Sequence, residues 1–129
     1  MSETTKYMVG NVISSPNKPV VEKGVLKVQN GLIQDLTAYR DLKYKLPDDE
    51  RTLHFGDYYI LPGLIDPHCH LTLPGTETPS HQIMSNYTDE MLLLTAVDNA
   101  RKALNSGITT LRDLGGKKEL TFRFRKTLR

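Results

Sequence analysis

The chain contains no tryptophan, one cysteine and three phenylalanines. A single cysteine, Cys69, excludes an internal disulfide and with it a disulfide-stapled secreted scaffold, and fits a reducing compartment. No apolar run approaches the ~20 residues that a membrane-spanning helix needs. The start, Met1 to Lys6, holds no apolar signal-peptide core. These absences set the expectation of a cytoplasmic protein without a membrane partner. Acidic side chains are scarce at one end only. Residues 117 to 129 hold six Lys or Arg against Glu119, a net +5 that leaves about −3 for the rest. The formal charge of +2 is therefore a property of one terminus and does not mark a nucleic-acid-binding surface.

The 38% hydrophobic and 25% charged composition is that of an ordinary soluble chain, and 129 residues suffice for a domain with a real core. No internal repeat or low-complexity tract is present. The first 60 residues read as β structure. Tyr7 to Ile13 is a strand candidate that ends at Ser14-Ser15-Pro16-Asn17. Val25 to Gln29 and Leu32 to Leu36 flank Asn30-Gly31, whose two residues accept the positive φ of a type I′ hairpin turn. That turn sets Val28 opposite Ile33. Thr52 to Phe55 and Tyr58 to Leu61 read as two short strands separated by Gly56-Asp57.

The pattern changes after residue 61. Leu64-Ile65 opens a short buried strand, and residues 71 to 87 read as a long loop. Residues 88 to 106 read as a helix with Leu93, Ala96, Val97, Ala100, Ala103 and Leu104 on one stripe, acidic residues at its start and Gly107 after its end. Ile108 to Arg112 is β-rich and stops at Gly115-Gly116. Glu119 to Arg129 places Leu120, Phe124 and Leu128 at i, i+4, i+8 of a helix. Strands alternating with helices indicate a βαβ unit with parallel strands.

Pro62-Gly63-Leu64-Ile65-Asp66-Pro67-His68-Cys69-His70 carries the chemistry. Residues i and i+2 of a strand share a face, so His68 and His70 aim two imidazoles at one point, as chelation of a single metal ion requires. They sit at the C-terminal end of a parallel strand, where such folds place their chemistry. By parity Asp66 points the same way, either to orient the strand end or a histidine, or to ligate directly. Cys69 has opposite parity and packs outward under a helix.

This run resembles the metal-binding signature of the amidohydrolase superfamily, Pro-Gly-x-Ile-Asp-x-His-x-His, at every fixed position. The β-rich leader through Phe55 to Leu61 resembles the small β-sandwich that precedes the barrel in that superfamily. Gly107 to Gly116 resembles the second barrel strand of the branch containing imidazolonepropionase-like and prolidase-like enzymes. The resemblance implies a (β/α)8 barrel with one or two divalent ions, usually zinc, and His68 and His70 as ligands of the more buried one. It implies attack by a metal-bound hydroxide on the C–N bonds of small molecules: amides, cyclic amides, amidines and some dipeptides.

Such a barrel takes ~250 residues. The expectation for this chain is α/β with a β-rich leader: a sandwich-like subdomain over residues 1 to 61, then over 62 to 129 the first βαβ unit of a truncated barrel. The family's later ligands and general base have no counterpart: a carboxylated lysine or glutamate, two further histidines and a late aspartate. No complete catalytic set is expected, and two readings stand. One is the N-terminal fragment of a hydrolase, inactive alone. The other is a non-catalytic remnant or interaction module, with self-association through exposed strand edges.

Other signals carry bland alternatives. Arg112 ends the second strand and is a candidate for contacting a substrate carboxylate, or for a structural ion pair. His54 reads as an ordinary strand residue and His81 as a loop histidine within reach of a site. Gly115-Gly116-Lys117-Lys118 resembles a phosphate cradle without the full spacing of one. Phe122 to Lys126 interleaves aromatics with cations, and an amphipathic helix explains it more simply.

Overall fold

The computed structural model describes residues 4–127. The chain divides into two compact units at Pro62/Gly63. Among the described residues, no helix is long and apolar enough to cross a membrane.

The first unit is a mixed four-stranded sheet in the order β3-β2-β1-β4. Its strands are β1 (Thr5–Val12), β2 (Val21–Gln29), β3 (Leu32–Ala38) and β4 (Thr52–Ile60). Asn30 (φ 52°) and Gly31 (φ 79°) both adopt the left-handed conformation, as a type I′ turn demands. The turn fixes the antiparallel register, and Val28 lies opposite Ile33. Val12, Val25 and Leu26 form the buried centre of this unit. Gly24 sits against the Val12 and Val21 side chains, where a Cβ would meet Val12 Cγ2 at 2.9 Å.

The expected break at Gly56-Asp57 is a bulge inside one continuous strand. β4 runs parallel to β1, and its register jumps from Val9↔His54 to Asn11↔Tyr59. Gly56 takes a φ of 58° and lets the extra residues loop out while pairing resumes on the same template. The second layer of a sandwich is not among the described elements, so the leader is a single sheet.

The second unit contains β5 (Leu64–Cys69), α1 (Ser80–Asn86), α2 (Asp89–Asn105), β6 (Ile108–Asp113) and α3 (Leu120–Thr127). β5 and β6 pair in parallel, with α1 and α2 in the crossover. The loop expected over residues 71 to 87 thus contains a helical turn, because Ile83 finds a buried place beside Leu92 and Leu120. The longer helix starts at Thr88, whose hydroxyl oxygen accepts from the Met91 N–H at 3.3 Å. Asp89 and Glu90 occupy its first turn, favourable against the helix dipole. Gly107 follows its end at φ 87°.

One face of the β5–β6 pair is covered. Leu71, Ala96 and Phe124 form its buried cluster, with Cys69, Leu93, Ala100 and Leu111 packed against it. Cys69 therefore lies on the helix side, as its parity requires. The stripe on α2 is rotated from the expected one. Leu92 is fully buried, whereas Val97 and Leu104 are exposed. α1 and α3 also pack on α2, and their apolar side chains draw Leu92 inward, a tertiary preference that helical spacing alone does not encode. Burying such a leucine contributes about 1.5–3 kcal/mol. Leu120 and Phe124 are buried on α3 as their spacing predicts, and Leu128 lies outside the described residues.

Polar ties hold the long connection to this core. Asn99 on α2 donates from Nδ2 to the carbonyls of Leu71 (2.9 Å) and Leu73 (2.8 Å). Lys117 Nζ donates to the Tyr87 carbonyl at 3.0 Å and pairs with Asp89 at 3.1 Å. Thr72 is fully buried, and its hydroxyl has no hydrogen-bond partner among the described residues. It lies directly beneath Gly116, where an added Cβ would overlap its oxygen.

Gly116→Ala is therefore expected to lower stability by about 1–3 kcal/mol, the usual range for overpacking. Thr72→Ala removes the obstructing atoms, so the double substitution should recover part of that loss. Urea unfolding of the four proteins in the cycle measures the coupling. Strict additivity of the two changes would contradict the contact.

Candidate functional site

The C-terminal ends of β5 and β6 are stitched together by a set of short bonds. The Leu114 N–H donates to the Cys69 carbonyl at 3.0 Å, and the Cys69 thiol donates to the Arg112 carbonyl at 3.5 Å. Asp113 Oδ1 accepts from the Gly115 N–H at 2.9 Å, which turns the chain sharply after β6. Gly115, at φ 119°, is the residue that permits this turn. The turn delivers the Gly115 carbonyl to His70, 2.9 Å from Nδ1.

That contact decides the tautomer of His70. A carbonyl oxygen only accepts, so in the neutral ring Nδ1 carries the proton and Nε2 keeps its lone pair. This is the arrangement of a metal-ligating histidine, whose other nitrogen donates to a fixed acceptor. The His68 ring lies 5.5 Å from that of His70, centre to centre, at an interplanar angle of 76°. Both residues are exposed.

The pair can be tested against the geometry of a bound ion. With each nitrogen about 2.0–2.1 Å from zinc, two imidazoles at a tetrahedral angle place their ring centres about 5 Å apart. The observed spacing fits one edge of such a coordination sphere. The rest of the sphere is missing: no group of three His, Cys, Asp or Glu side chains that could hold a metal occurs among the described residues. The donor set fits two positions and no more.

Asp66 does not bond either imidazole. Its Oδ1 accepts from the backbone N–H of His68 at 3.0 Å and so shapes the chain where the first histidine emerges. The β5–β6 register slips between Asp66 and Cys69, so strict alternation is not kept across Pro67. Counting by twos from Asp66 to His70 therefore does not fix the direction of the carboxylate. Arg112 is exposed at the end of β6, next to Asp113, and makes no ion pair among the described residues. His54 pairs with Val9 in the first unit, and His81 lies on α1; neither joins the His68–His70 pair in a group of three.

Cys69 is unsuited to nucleophilic or ligand duty. Burial pushes its thiol above the ordinary range, and the charges of Asp113 and Asp66 add to the effect. The Gly115–Lys118 segment is also engaged internally: Asp113 takes the Gly115 N–H, and Lys117 is held by Tyr87 and Asp89. That leaves little of a phosphate cradle.

A groove of about 800 Å³ runs along β6 and is walled on its other side by α3. Consecutive residues Thr109 to Gly116 line it, with Arg112, Lys118 and Arg125 at hand and Phe122 and Phe124 opposite. Neither histidine lines it. Two features of this region were not readable from spacing: the Gly115 carbonyl that orients His70, and Asn99, which fixes the loop leaving the site. Backbone acceptors have no side-chain signature, and an asparagine within a helix has no distinctive spacing.

No family model matches the chain. It is similar to imidazolonepropionase of Pyrobaculum arsenaticum, with 33% identity over 57 residues, which is 44% of this chain and 14% of that protein. Its fold is similar to that of a solved amidohydrolase (TM-score 0.76, 24% identity, 97% of this chain and 28% of the other). A Xaa-Pro dipeptidase with methionine bound in its active site matches at TM-score 0.76 and 21% identity, over 96% of this chain and 30% of the other. Molinate hydrolase matches at TM-score 0.77 and 19% identity, over 99% and 27%. The chain thus spans less than a third of these solved structures and about a seventh of the curated relative. The comparisons return the kinds of protein that Pro62–His70 and Gly107–Gly116 resemble: one structural neighbour is named an amidohydrolase, and the sequence relative is an imidazolonepropionase.

The His70 tautomer can be checked without any metal. At mildly alkaline pH, where an ordinary imidazole is neutral, long-range proton–nitrogen correlation spectra should show Nδ1 protonated and Nε2 bare. A protonated Nε2 would remove the Gly115 anchor from this account.

Proposed function

We propose that the chain is the N-terminal part of an amidohydrolase-type, metal-dependent hydrolase that cleaves C–N bonds of small molecules such as cyclic amides or dipeptides. The observation that carries this reading is the His68–His70 pair at the end of a parallel strand. Its ring spacing suits one ion, and one ring is already anchored through Nδ1. Likeness to imidazolonepropionase and to a Xaa-Pro dipeptidase supports the bond class and the size of the substrate. A divalent ion, zinc being the natural choice for two imidazoles, would supply Lewis-acid activation of water.

In this reading the chain's own residues have positioning roles. His68 and His70 hold the ion, the Gly115 carbonyl sets the His70 tautomer, and Asp66 fixes the backbone at His68. Arg112, exposed on the neighbouring strand end, is placed to meet an anionic group of the substrate. No group of three His, Cys, Asp or Glu side chains that could hold a metal lies among the described residues. The described residues therefore supply half of a centre, and catalysis needs the other half. A cytoplasmic setting accords with the single unpaired cysteine.

Zinc uptake measured by equilibrium dialysis is expected for the chain and lost in both His68→Ala and His70→Ala, with circular dichroism reporting that the variants fold. A Xaa-Pro dipeptide should be left intact by the chain alone. Zinc uptake that survives both substitutions would sink the assignment of the ligands. Dipeptide turnover that depends on His68 would instead show that the centre is complete.

A further inference from the structure

The sequence holds six asparagines, and Asn30 alone is followed by glycine. A main-chain nitrogen next to an asparagine is free to attack the side-chain carboxamide when no hydrogen bond or packing holds it. Five of these nitrogens are held. Val12, after Asn11, is buried within β1. The Lys18 N–H, after Asn17, donates to the Ser15 carbonyl, and the Tyr87 N–H, after Asn86, donates to the Ile83 carbonyl. Ala100, after Asn99, lies inside α2. The Ser106 N–H, after Asn105, donates to the Lys102 and Ala103 carbonyls. The Gly31 N–H has no bond among the described residues. We propose that Asn30-Gly31 is a self-modifying site, at which the Gly31 nitrogen displaces ammonia from the Asn30 side chain.

The surroundings of the turn favour the attack. Asn30 Oδ1 accepts from the Thr4 N–H at 3.3 Å, while the Asn30 N–H donates to the Thr4 carbonyl at 3.1 Å. A donor on Oδ1 draws electron density from Cγ and stabilises the negative charge that gathers on the oxygen as nitrogen adds. Gly31 brings no side chain to shield its nitrogen, and a Cβ built there meets nothing within 4 Å. Attack requires Asn30 to rotate out of its left-handed conformation. Little packing opposes that rotation: Asn30 and Gly31 are exposed, and Leu32 and Ile33 beside them are 66% and 69% exposed.

The reaction needs only water and hydroxide. Hydroxide takes the proton from the Gly31 nitrogen, which forms a bond to Asn30 Cγ and leaves the charge on Oδ1. Collapse of this adduct breaks the Cγ–Nδ2 bond, and Nδ2 takes a proton from water and departs as ammonia. The product is a five-membered cyclic imide, with nothing oxidised or reduced. Water then opens the ring at either carbonyl. Opening at Cγ leaves aspartate, which suits the same turn and still offers the Thr4 N–H an acceptor, with one negative charge added. Opening at the main-chain carbonyl leaves isoaspartate, whose side-chain carbon has entered the main chain. That extra carbon in a two-residue loop works against the pairing of Gln29 with Leu32 and of Val28 with Ile33.

Incubation of the full chain in mildly alkaline buffer, then digestion and mass mapping, tests this. The expected result is a gain of about one dalton confined to the peptide that carries Asn30, with one ammonia released per converted chain. The rate should rise in proportion to hydroxide, and fragmentation should find both aspartate and isoaspartate at position 30. The same incubation in guanidinium chloride releases the nitrogens that the fold holds, so the lead of Asn30 over the other five asparagines should narrow there. An Asn30 peptide of unchanged mass, or conversion of the other asparagines at the same rate in the folded chain, would overturn the proposal. So would a rate indifferent to hydroxide, which excludes attack by the Gly31 nitrogen. A lead of equal size in guanidinium chloride would show that the bonds on the other nitrogens protect nothing, and would overturn the structural basis of the assignment.

Discussion

The bond from His70 Nδ1 to the Gly115 carbonyl is the constraint on which the candidate site depends. It ties a side chain at the end of β5 to the backbone beyond β6, residues 45 positions apart in sequence. It exists only because the two strands pair in parallel and because the chain turns at Gly115 under the Asp113 carboxylate. Without the turn, the carbonyl would point elsewhere and the imidazole would be free to take either tautomer. With it, the chemistry of His70 is decided before any ligand arrives. This is preorganisation at the level of a single proton.

The turn in turn rests on packing. Gly116 lies on Thr72 with no room for a side chain, and Thr72 follows Leu71, which joins Ala96 and Phe124 in the buried cluster. Asn99 holds the carbonyls on either side of Thr72. The loop leaving His70, the turn after β6 and the helix α2 therefore form one connected layer. The orphaned Thr72 hydroxyl sits at its centre, a local cost of about 1–3 kcal/mol by the usual figure for an unsatisfied buried group. The close approach of Gly116 holds that hydroxyl where it is, so the cost is coupled to the geometry that serves His70.

Much of this was legible in the sequence, and the reasons differ by element. The Asn30-Gly31 hairpin came through with its register because turn chemistry alone sets it: both residues take positive φ, and Val28 meets Ile33. The parallel β5–β6 pair followed from alternation of strand and helix signals, and Cys69 packed under the helices as parity required. The misses share a cause. Gly56-Asp57 read as a turn because local chemistry cannot see β1, the template that carries β4 past its bulge. The stripe on α2 was set by α1 and α3 as well as by the strands, and residues 80 to 86 hid a helix too short to show a period. Asp66 takes the strand-end role among those open to it, accepting from the His68 N–H. At the site, residue types pointed to His68 and His70, but the orientation of His70 comes from a backbone oxygen, which no residue type reveals.

The two histidines owe their arrangement to the way the strand ends are bonded. The His68 and His70 rings lie 5.5 Å apart, and His70 Nδ1 is held by the Gly115 carbonyl. The Gly115 anchor, the Asp66 contact and the Asp113 turn occur together at these strand ends. Each is a backbone bond that shapes the β5–β6 ends. The orientation of His70 is thus a by-product of how the parallel pair is closed.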